Sequence, residues 1–347
     1  MTRLDINGAF INQRVTGQQR YAREISRALT QLQSEMNIDL HVIMIRPSRF
    51  KVIEWLQSLL ICFHQRSRAW LLTLTSRGPL IAKRHVLVVH DLFLLTHPEW
   101  YSRVFAISHA CFLRIQLRTA SLIICVSEPV AAEVRQRIRD RVPVIVAPNA
   151  PSAVFLNPPD NSSIFSALGI QRKSYILCVA SRDPRKNVNR LLEAHQLMPS
   201  ALRANYPLVL VGGASSSFQT VRYTSDAYIV DAGYIPDEDL AILYKEAALV
   251  GFPSLAEGFG LPAVEALASG APLLVHDNDV MRWVCGEHAI YVDCTNLQLL
   301  SQVMICALTS DLAQSFDNSP EWVTSRYNWK SSAKSIIEGI QSMSYSK

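Results

Sequence analysis

Two glutamates eight positions apart, Glu257 and Glu265, bracket the stretch Glu-Gly-Phe-Gly-Leu-Pro-Ala-Val-Glu, and their surroundings say what they could do. An apolar run, Leu249 to Phe252, ends at Pro253. Pro262 sits where a first helical residue would be, Gly270 where a helix stops, and a second apolar run, Ala271 to Val275, follows. That order predicts strand, tight loop, short helix and strand, with loop amides and a helix N-terminus directed one way. Such amides hold an anion, and carboxylates at the edge accept hydrogen bonds from hydroxyls. Phosphate together with a polyol describes a nucleotide sugar. The bland alternative is an ordinary strand-to-helix connection, punctuated by glycine and proline, with both glutamates solvated.

Other polar residues stand where apolar runs end. Tyr175 to Ala180 leads into Ser-Arg-Asp-Pro-Arg-Lys-Asn187, a basic loop before the helix that opens at Val188. His85 to His90 reads as a buried strand ending in His90-Asp91, with a satisfied structural histidine as the plain alternative. Leu4 to Asn7 reads as a first strand, and a loop with Gly17 leads from it to the amphipathic helix marked by Tyr21, Ile25 and Leu29. Ligands in parallel α/β sheets bind outside the carboxyl ends of strands, and each of these loops lies at such an end.

Strand and helix signals alternate through the chain. His41 to Ile45, Leu122 to Ser127, Leu208 to Gly213 and Ala227 to Val230 read as further strands, Val142 to Asn149 closes the first half, and Asp237 reads as the cap of a helix running to Ala248. The proline-rich stretch from Pro151 to Asp160 reads as a linker. The expected organisation is α/β, with two Rossmann-like parallel-sheet domains at 1–155 and 156–330 and a C-terminal helix at 331–347 packing back on the first. Seven scattered cysteines without a Cys-x-x-Cys pair read as reduced core thiols. The expected location is therefore cytoplasmic, with no leader peptide and no membrane span.

Charge is divided unevenly. Residues 1–150 carry 20 Lys/Arg against 10 Asp/Glu, and residues 151–347 carry 14 against 19. A basic first half suits an anionic surface or acceptor, and an acidic second half argues against nucleic acid. Residues 51–63 read as one helix with a wide apolar face, flanked by Arg46, Arg49, Lys51, Arg66 and Arg68, able to lie on an anionic bilayer. A face of that kind also suits a buried core helix.

Taken in order, Thr16-Gly-Gln-Gln-Arg-Tyr21, His90-Asp-Leu with Pro98-Glu-Trp100, Val126-Ser127, Ala147-Pro-Asn149, Pro184-Arg-Lys-Asn187, Gly233-Tyr-Ile-Pro236 and Pro253 through Glu265 resemble the GT4 family of retaining glycosyltransferases, which have the GT-B architecture of two Rossmann-like domains facing across a cleft. The resemblance covers about residues 5–340. It implies that Glu257 contacts the transferred sugar and that the Gly258, Phe259, Gly260 and Leu261 amides face sugar and diphosphate. Glu265 would bind the ribose, and Lys186 would neutralise the diphosphate leaving group with Arg185 or Arg182 as companion. Tyr234 would frame the base, Gly17 would face phosphate, and His90 would approach the donor sugar. Trp329 and the helix Ser332 to Ile340 resemble the segment that crosses back onto the first domain. Two departures stand out. Ala180-Ser181 replaces a usual Gly-Arg, and Arg282-Trp283 replaces a usual Pro-Glu.

The implied reaction moves a hexose, with mannose from GDP-mannose the first choice and rhamnose or glucose from dTDP or UDP the alternative, onto a saccharide acceptor with retention. The acceptor is expected to be lipid-linked, at the inner face of the cytoplasmic membrane in bacterial surface polysaccharide synthesis. Basic side chains and helix amides supply charge where the diphosphate develops it, no Asp-x-Asp signature is present, and no cofactor or metal is expected. A sugar-nucleotide 2-epimerase would share the donor pocket but leave the Glu-x7-Glu unit unexplained. A nicotinamide dehydrogenase would need Gly-x-Gly-x-x-Gly after the first strand, which is lacking here. A scaffold protein would have no use for Glu257, Glu265, Lys186 and His90 together.

Overall fold

The computed structural model describes residues 1–13, 16–138, 141–160, 163–179, 181, 183–212, 226–310 and 318–345. The chain forms two compact units, Met1–Asn149 with Tyr327–Lys347, and Ala150–Arg326. Each is built on one parallel sheet.

In the first unit β1 (Thr2–Asn7), β2 (Ile38–Ile43), β3 (Trp70–Thr73), β4 (His85–Val89), β5 (Leu122–Cys125) and β6 (Val144–Val146) lie in the order β2-β1-β3-β4-β5-β6. The central strands β3, β4 and β5 are buried along their whole length. Their largely apolar sequences, Trp-Leu-Leu-Thr, His-Val-Leu-Val-Val and Leu-Ile-Ile-Cys, suit strands covered by helices on both faces.

In the second unit β7 (Ile176–Val179), β8 (Leu208–Val211), β9 (Ile229–Gly233), β10 (Leu249–Phe252), β11 (Leu273–His276) and β12 (Ile290–Val292) lie in the order β12-β11-β10-β7-β8-β9. This is the doubly wound order of dinucleotide-binding folds. The chain leaves β7 toward one edge and β10 toward the other, although the two strands are neighbours. Loops that diverge from adjacent strand ends open a crevice there.

Several boundaries differ from the sequence reading, each for a local reason. The first unit ends at Asn149, ahead of the proline-rich stretch. That stretch belongs to the second unit because Phe155 is wholly buried beside Tyr244, ring centroids 5.9 Å apart, and its carbonyl accepts from Ser269 Oγ at 3.1 Å. The chain returns to the first unit at Tyr327, and the last helix runs Trp329–Tyr345, longer than the expected 332–340. It buries Ala333, Ile336, Ile337 and Ile340. Three buried isoleucines contribute on the order of 5 kcal/mol of apolar burial, which explains the helix's place in this unit better than its intrinsic propensity. The segment 51–63 is not one helix. Lys51–Leu59 is α-helical, Leu60 breaks the run, and Ile61–His64 is a 3-10 turn that drops Ile61 into the core. Asp237 is the first residue of its helix, which ends at Lys245, and Pro236 takes the cap position.

Candidate functional site

The polar residues of interest in the second unit gather at the divergence of β7 and β10. Strand β10 is fully buried, and Gly251 within it lets Leu191 of the helix Val188–Gln196 approach. A Cβ at position 251 would stand 2.9 Å from a Leu191 methyl. The loop beyond β10 is tied to the loop beyond β7: Leu255 N donates to Arg185 O at 2.9 Å. Asp183 caps the short turn Pro184–Lys186 by accepting from Arg185 N at 3.0 Å, and Asn187 reverses the chain at φ +53° while donating to Cys294 O at 3.1 Å.

This framework brings Lys186 and Glu257 into contact. Lys186 Nζ pairs with Glu257 Oε1, and Ser254 Oγ donates to the same oxygen at 2.6 Å. Lys186 Nζ also stands 5.5 Å from the centre of the Phe252 ring. The side chains of the pair remain only 15% and 11% exposed. A cation and a carboxylate in such surroundings interact far more strongly than at an open surface, and each depends on the other for compensation.

Gly260 turns the chain at φ +89° into the helix Leu261–Ala268. Glycine suits this position because the left-handed φ strains any residue with a Cβ, and a Cβ there would also stand 2.5 Å from Met281 Cε. Pro262 occupies the second helical position, where its missing N–H costs nothing. Gly270 follows the helix end at φ +72°, the left-handed residue that closes many helices. Glu265 lies one turn into this helix and is 4% exposed. Glu257 is thus on the loop and Glu265 on a buried helix, in separate settings. Phe259 is buried, its ring edge-on to Trp283 at 6.4 Å.

The remaining expected residues fall as follows. Arg185 is drawn back onto Asp183, with Nε to Oδ2 at 2.8 Å and NH2 to Oδ2 at 2.7 Å. Arg182 lies outside the described residues. Tyr234 follows Gly233 at the carboxyl end of the edge strand β9 and is 80% exposed, a ring face open for stacking. Arg282, one of the departures from the family pattern, forks onto Asp277 at 2.6 and 2.7 Å.

In the first unit Gly17 opens the helix Gly17–Gln31 behind the cap residue Thr16, and a Cβ on it would meet nothing within 4 Å. His90 directly follows β4. Its Nε2 lies 2.9 Å from Leu74 O. A carbonyl only accepts, so Nε2 carries the proton and Nδ1 of the neutral ring offers a lone pair. Burial pushes His90 down to about 4, against the opposing pull of the Leu74 bond. Its ring stands edge-on to Tyr21 at 5.1 Å, and Tyr21, wholly buried, donates to Ala147 O at 3.1 Å and meets Trp329 at 5.7 Å. His90 is therefore a fixed, neutral acceptor. Sequence spacing did not flag Tyr21, Trp329 and Ser254 as neighbours of the site residues: the partners of Tyr21 and Trp329 lie far off in the chain, and Ser254, three residues before Glu257, is an ordinary loop residue by type.

Residues 160–319 match the family model described as glycosyl transferases group 1. The O-antigen chain mannosyltransferase B of Escherichia coli is 29% identical over 237 residues, which are 66% of this chain and 62% of that protein. The serotype-specific mannosyltransferase WbdA of E. coli is 31% identical over 183 residues, 48% of this chain and 21% of that protein. The chain thus spans less than two thirds of the length of these relatives. Among solved structures, the sucrose-phosphate synthase of Thermosynechococcus elongatus superposes over 100% of both chains with a TM-score of 0.75 at 16% identity, a likeness of fold. The two parallel-sheet units are those of the GT-B fold expected from the sequence. Residues 160–319, the greater part of the second unit, are thus the part of the chain that is similar to the glycosyl transferase group 1 family.

Proposed function

We propose that the chain transfers a hexose from a nucleoside diphosphate sugar to a saccharide acceptor, with retention of configuration, in the synthesis of a bacterial surface polysaccharide. The observation that carries this reading is the Lys186–Glu257 pair, backed by Ser254, at the point where β7 and β10 diverge within the part of the chain similar to group 1 glycosyl transferases. The names of the relatives favour mannose, and GDP-mannose is the donor proposed.

In this reading Lys186 exchanges Glu257 for the departing diphosphate, and the amides opening the helix at Leu261 add a fixed positive potential. These groups supply the compensating charge without a metal. Glu257, released from the lysine, accepts from the hydroxyls of the transferred sugar. Glu265 takes the ribose hydroxyls, Tyr234 the base, and neutral His90 a sugar hydroxyl through Nδ1. The leaving phosphate assists the acceptor on the same face, so no glycosyl-enzyme bond forms. Trapping such an adduct on Glu257 would overturn that step.

The test is a panel of GDP-, UDP- and dTDP-sugars scored for protection against thermal unfolding. A ligand at a hundredfold excess over its Kd stabilises by about 2.7 kcal/mol. GDP-mannose should protect best and should release GDP slowly in the absence of acceptor. Glu257→Ala should bind the donor and fail to turn it over. Protection by no sugar nucleotide, or epimerisation of donor alone at full rate, would sink the proposal.

The first unit supports a lipid-linked acceptor. Val52, Ile53, Leu56, Leu60 and Phe63, which is 81% exposed, leave an apolar face uncovered. Trp55 packs against Phe112 of the helix Arg103–Thr119 at 5.3 Å, and that helix exposes Val104 and Ile107. Exposed Arg46, Arg49 and Arg103 lie close by in the chain. Arg66, counted with this basic flank from the sequence, instead pairs with Asp5 and Asp39 at 2.6 and 2.9 Å. Apolar area beside arginine fits an anionic bilayer surface. Among the described residues no helix is long and apolar enough to cross a membrane. We expect the chain to sediment with phosphatidylglycerol vesicles at low salt and to be released at 0.5 M salt. Phe63→Ser should weaken partitioning by roughly tenfold. Absence of sedimentation at low salt would remove the membrane from the proposal.

A further inference from the structure

We infer that Ser254 is a positioning residue for the transfer reaction: its hydroxyl holds the Glu257 carboxylate in place once Lys186 leaves it for the diphosphate. The inference rests on the reading of Glu257 and Lys186 given above.

Ser254 is 1% exposed and directly follows Pro253 beyond the buried strand β10. Its hydroxyl carries one proton and has three oxygens within reach, Glu257 Oε1 at 2.6 Å, Arg185 O at 3.4 Å and Ala256 O at 3.4 Å. Hydroxyl-to-carboxylate bonds run at about 2.5–2.7 Å, whereas 3.4 Å marks a weak contact. The proton therefore goes to Glu257. A serine whose task was to tie two loops together would donate to the Arg185 carbonyl, and that bond is already made by Leu255 N at 2.9 Å.

Both partners of Glu257 converge on Oε1, and among the described residues Oε2 takes no hydrogen bond. The carboxylate is thus gripped by one oxygen and presents the other. Lys186 is a long, flexible grip, and the arriving diphosphate competes for it. Ser254 is short, buried and fixed to the end of β10, so it stays. With it, Glu257 keeps its aim while its counter-ion changes; without it, the carboxylate would follow the lysine or rotate.

The test compares wild type, Ser254→Ala and Ser254→Cys in the full chain. Cysteine keeps the shape of serine and donates weakly. Release of GDP from GDP-mannose measures turnover, GDP alone measures nucleotide binding, and thermal midpoints report the fold. Losing a hydrogen bond to a charged group lowers kcat by about 10- to 100-fold. We expect that loss in Ser254→Ala, a smaller one in Ser254→Cys, and GDP affinity within about threefold of wild type in both. Turnover at the wild-type rate in both variants would overturn the inference while leaving the role of Glu257 standing. So would equal losses of kcat, GDP affinity and thermal midpoint, the signature of a loop that has merely come apart. A wild-type chain that neither binds GDP nor turns over any sugar nucleotide would instead remove the reading beneath it.

Discussion

Lys186→Met should reduce turnover by roughly a hundred- to a thousandfold and also destabilise the second unit, and adding Glu257→Gln should restore the stability but not the activity. The kinetic part follows from removing a positive charge that meets the leaving diphosphate. The stability part follows from geometry. Glu257 is 11% exposed, and its compensation is Lys186 together with Ser254. Removing the cation leaves a carboxylate in a desolvated loop, a change of roughly 3 kcal/mol in comparable sites. Glutamine has nearly the same shape, accepts from Ser254 and carries no charge, so the double variant has nothing uncompensated. Chemical unfolding of the four chains in the cycle measures this directly. If Lys186→Met/Glu257→Gln is no more stable than Lys186→Met, the pair is not held by mutual charge compensation, and the exchange of partners on donor binding loses its basis.

The second large effect is on acid stability. Strand β4 begins with His85 and is followed by His90, and burial pushes both down to about 4. His85 Nε2 meets Thr73 Oγ1 at 3.0 Å, and its Nδ1 has no partner among the described residues. Unfolded histidine titrates near 6.5, so between about pH 6.5 and 4 the unfolded chain binds protons that the folded chain refuses. Stability is then fully present above pH 6.5 and is lost as the pH falls. Two such groups lower it by about 4 kcal/mol between pH 7 and 5. Unfolding of wild type and of His90→Gln at the two pH values measures this, and the variant should lose the roughly 2 kcal/mol that His90 supplies, while His85, with His195 and His109, which burial also lowers, keeps the rest. A wild-type stability that stays flat over this range would mean that the rings are charged in the fold and that Nδ1 of His90 is no acceptor.

The divergence point was legible because its chemistry is local. Gly260, Pro262 and Gly270 each meet a backbone demand that the sequence itself announces, and the Pro-Arg-Lys-Asn loop follows an apolar run too short to be anything but a strand. What stayed hidden depended on contacts across the chain. The strand Trp70–Thr73 follows an apolar stretch with no glycine or proline between them, so no punctuation separates it from the helix before it. The break at Leu60 is equally silent, since leucine propagates a helix well and only the burial of Ile61 explains the change. Arg66 looked like one of several surface cations until Asp5 and Asp39, 61 and 27 residues away, claimed it. Ser254 is an ordinary loop residue by type, and only its burial and its 2.6 Å bond set it apart.

The last helix has a consequence for the order in which the chain matures. Trp329 against Tyr21, Ser332 Oγ on Pro148 O at 2.8 Å, Gln341 on Met36 O at 3.1 Å and Trp70 Nε1 on Ser344 Oγ at 3.3 Å all draw on partners translated long before. The second unit, Ala150–Arg326, is contiguous and can close as soon as it leaves the ribosome. The first unit begins before the second and is completed after it, and until residue 329 and its neighbours arrive, the apolar flank they cover on its early strands and helix is left to the nascent chain's own devices, or to a chaperone.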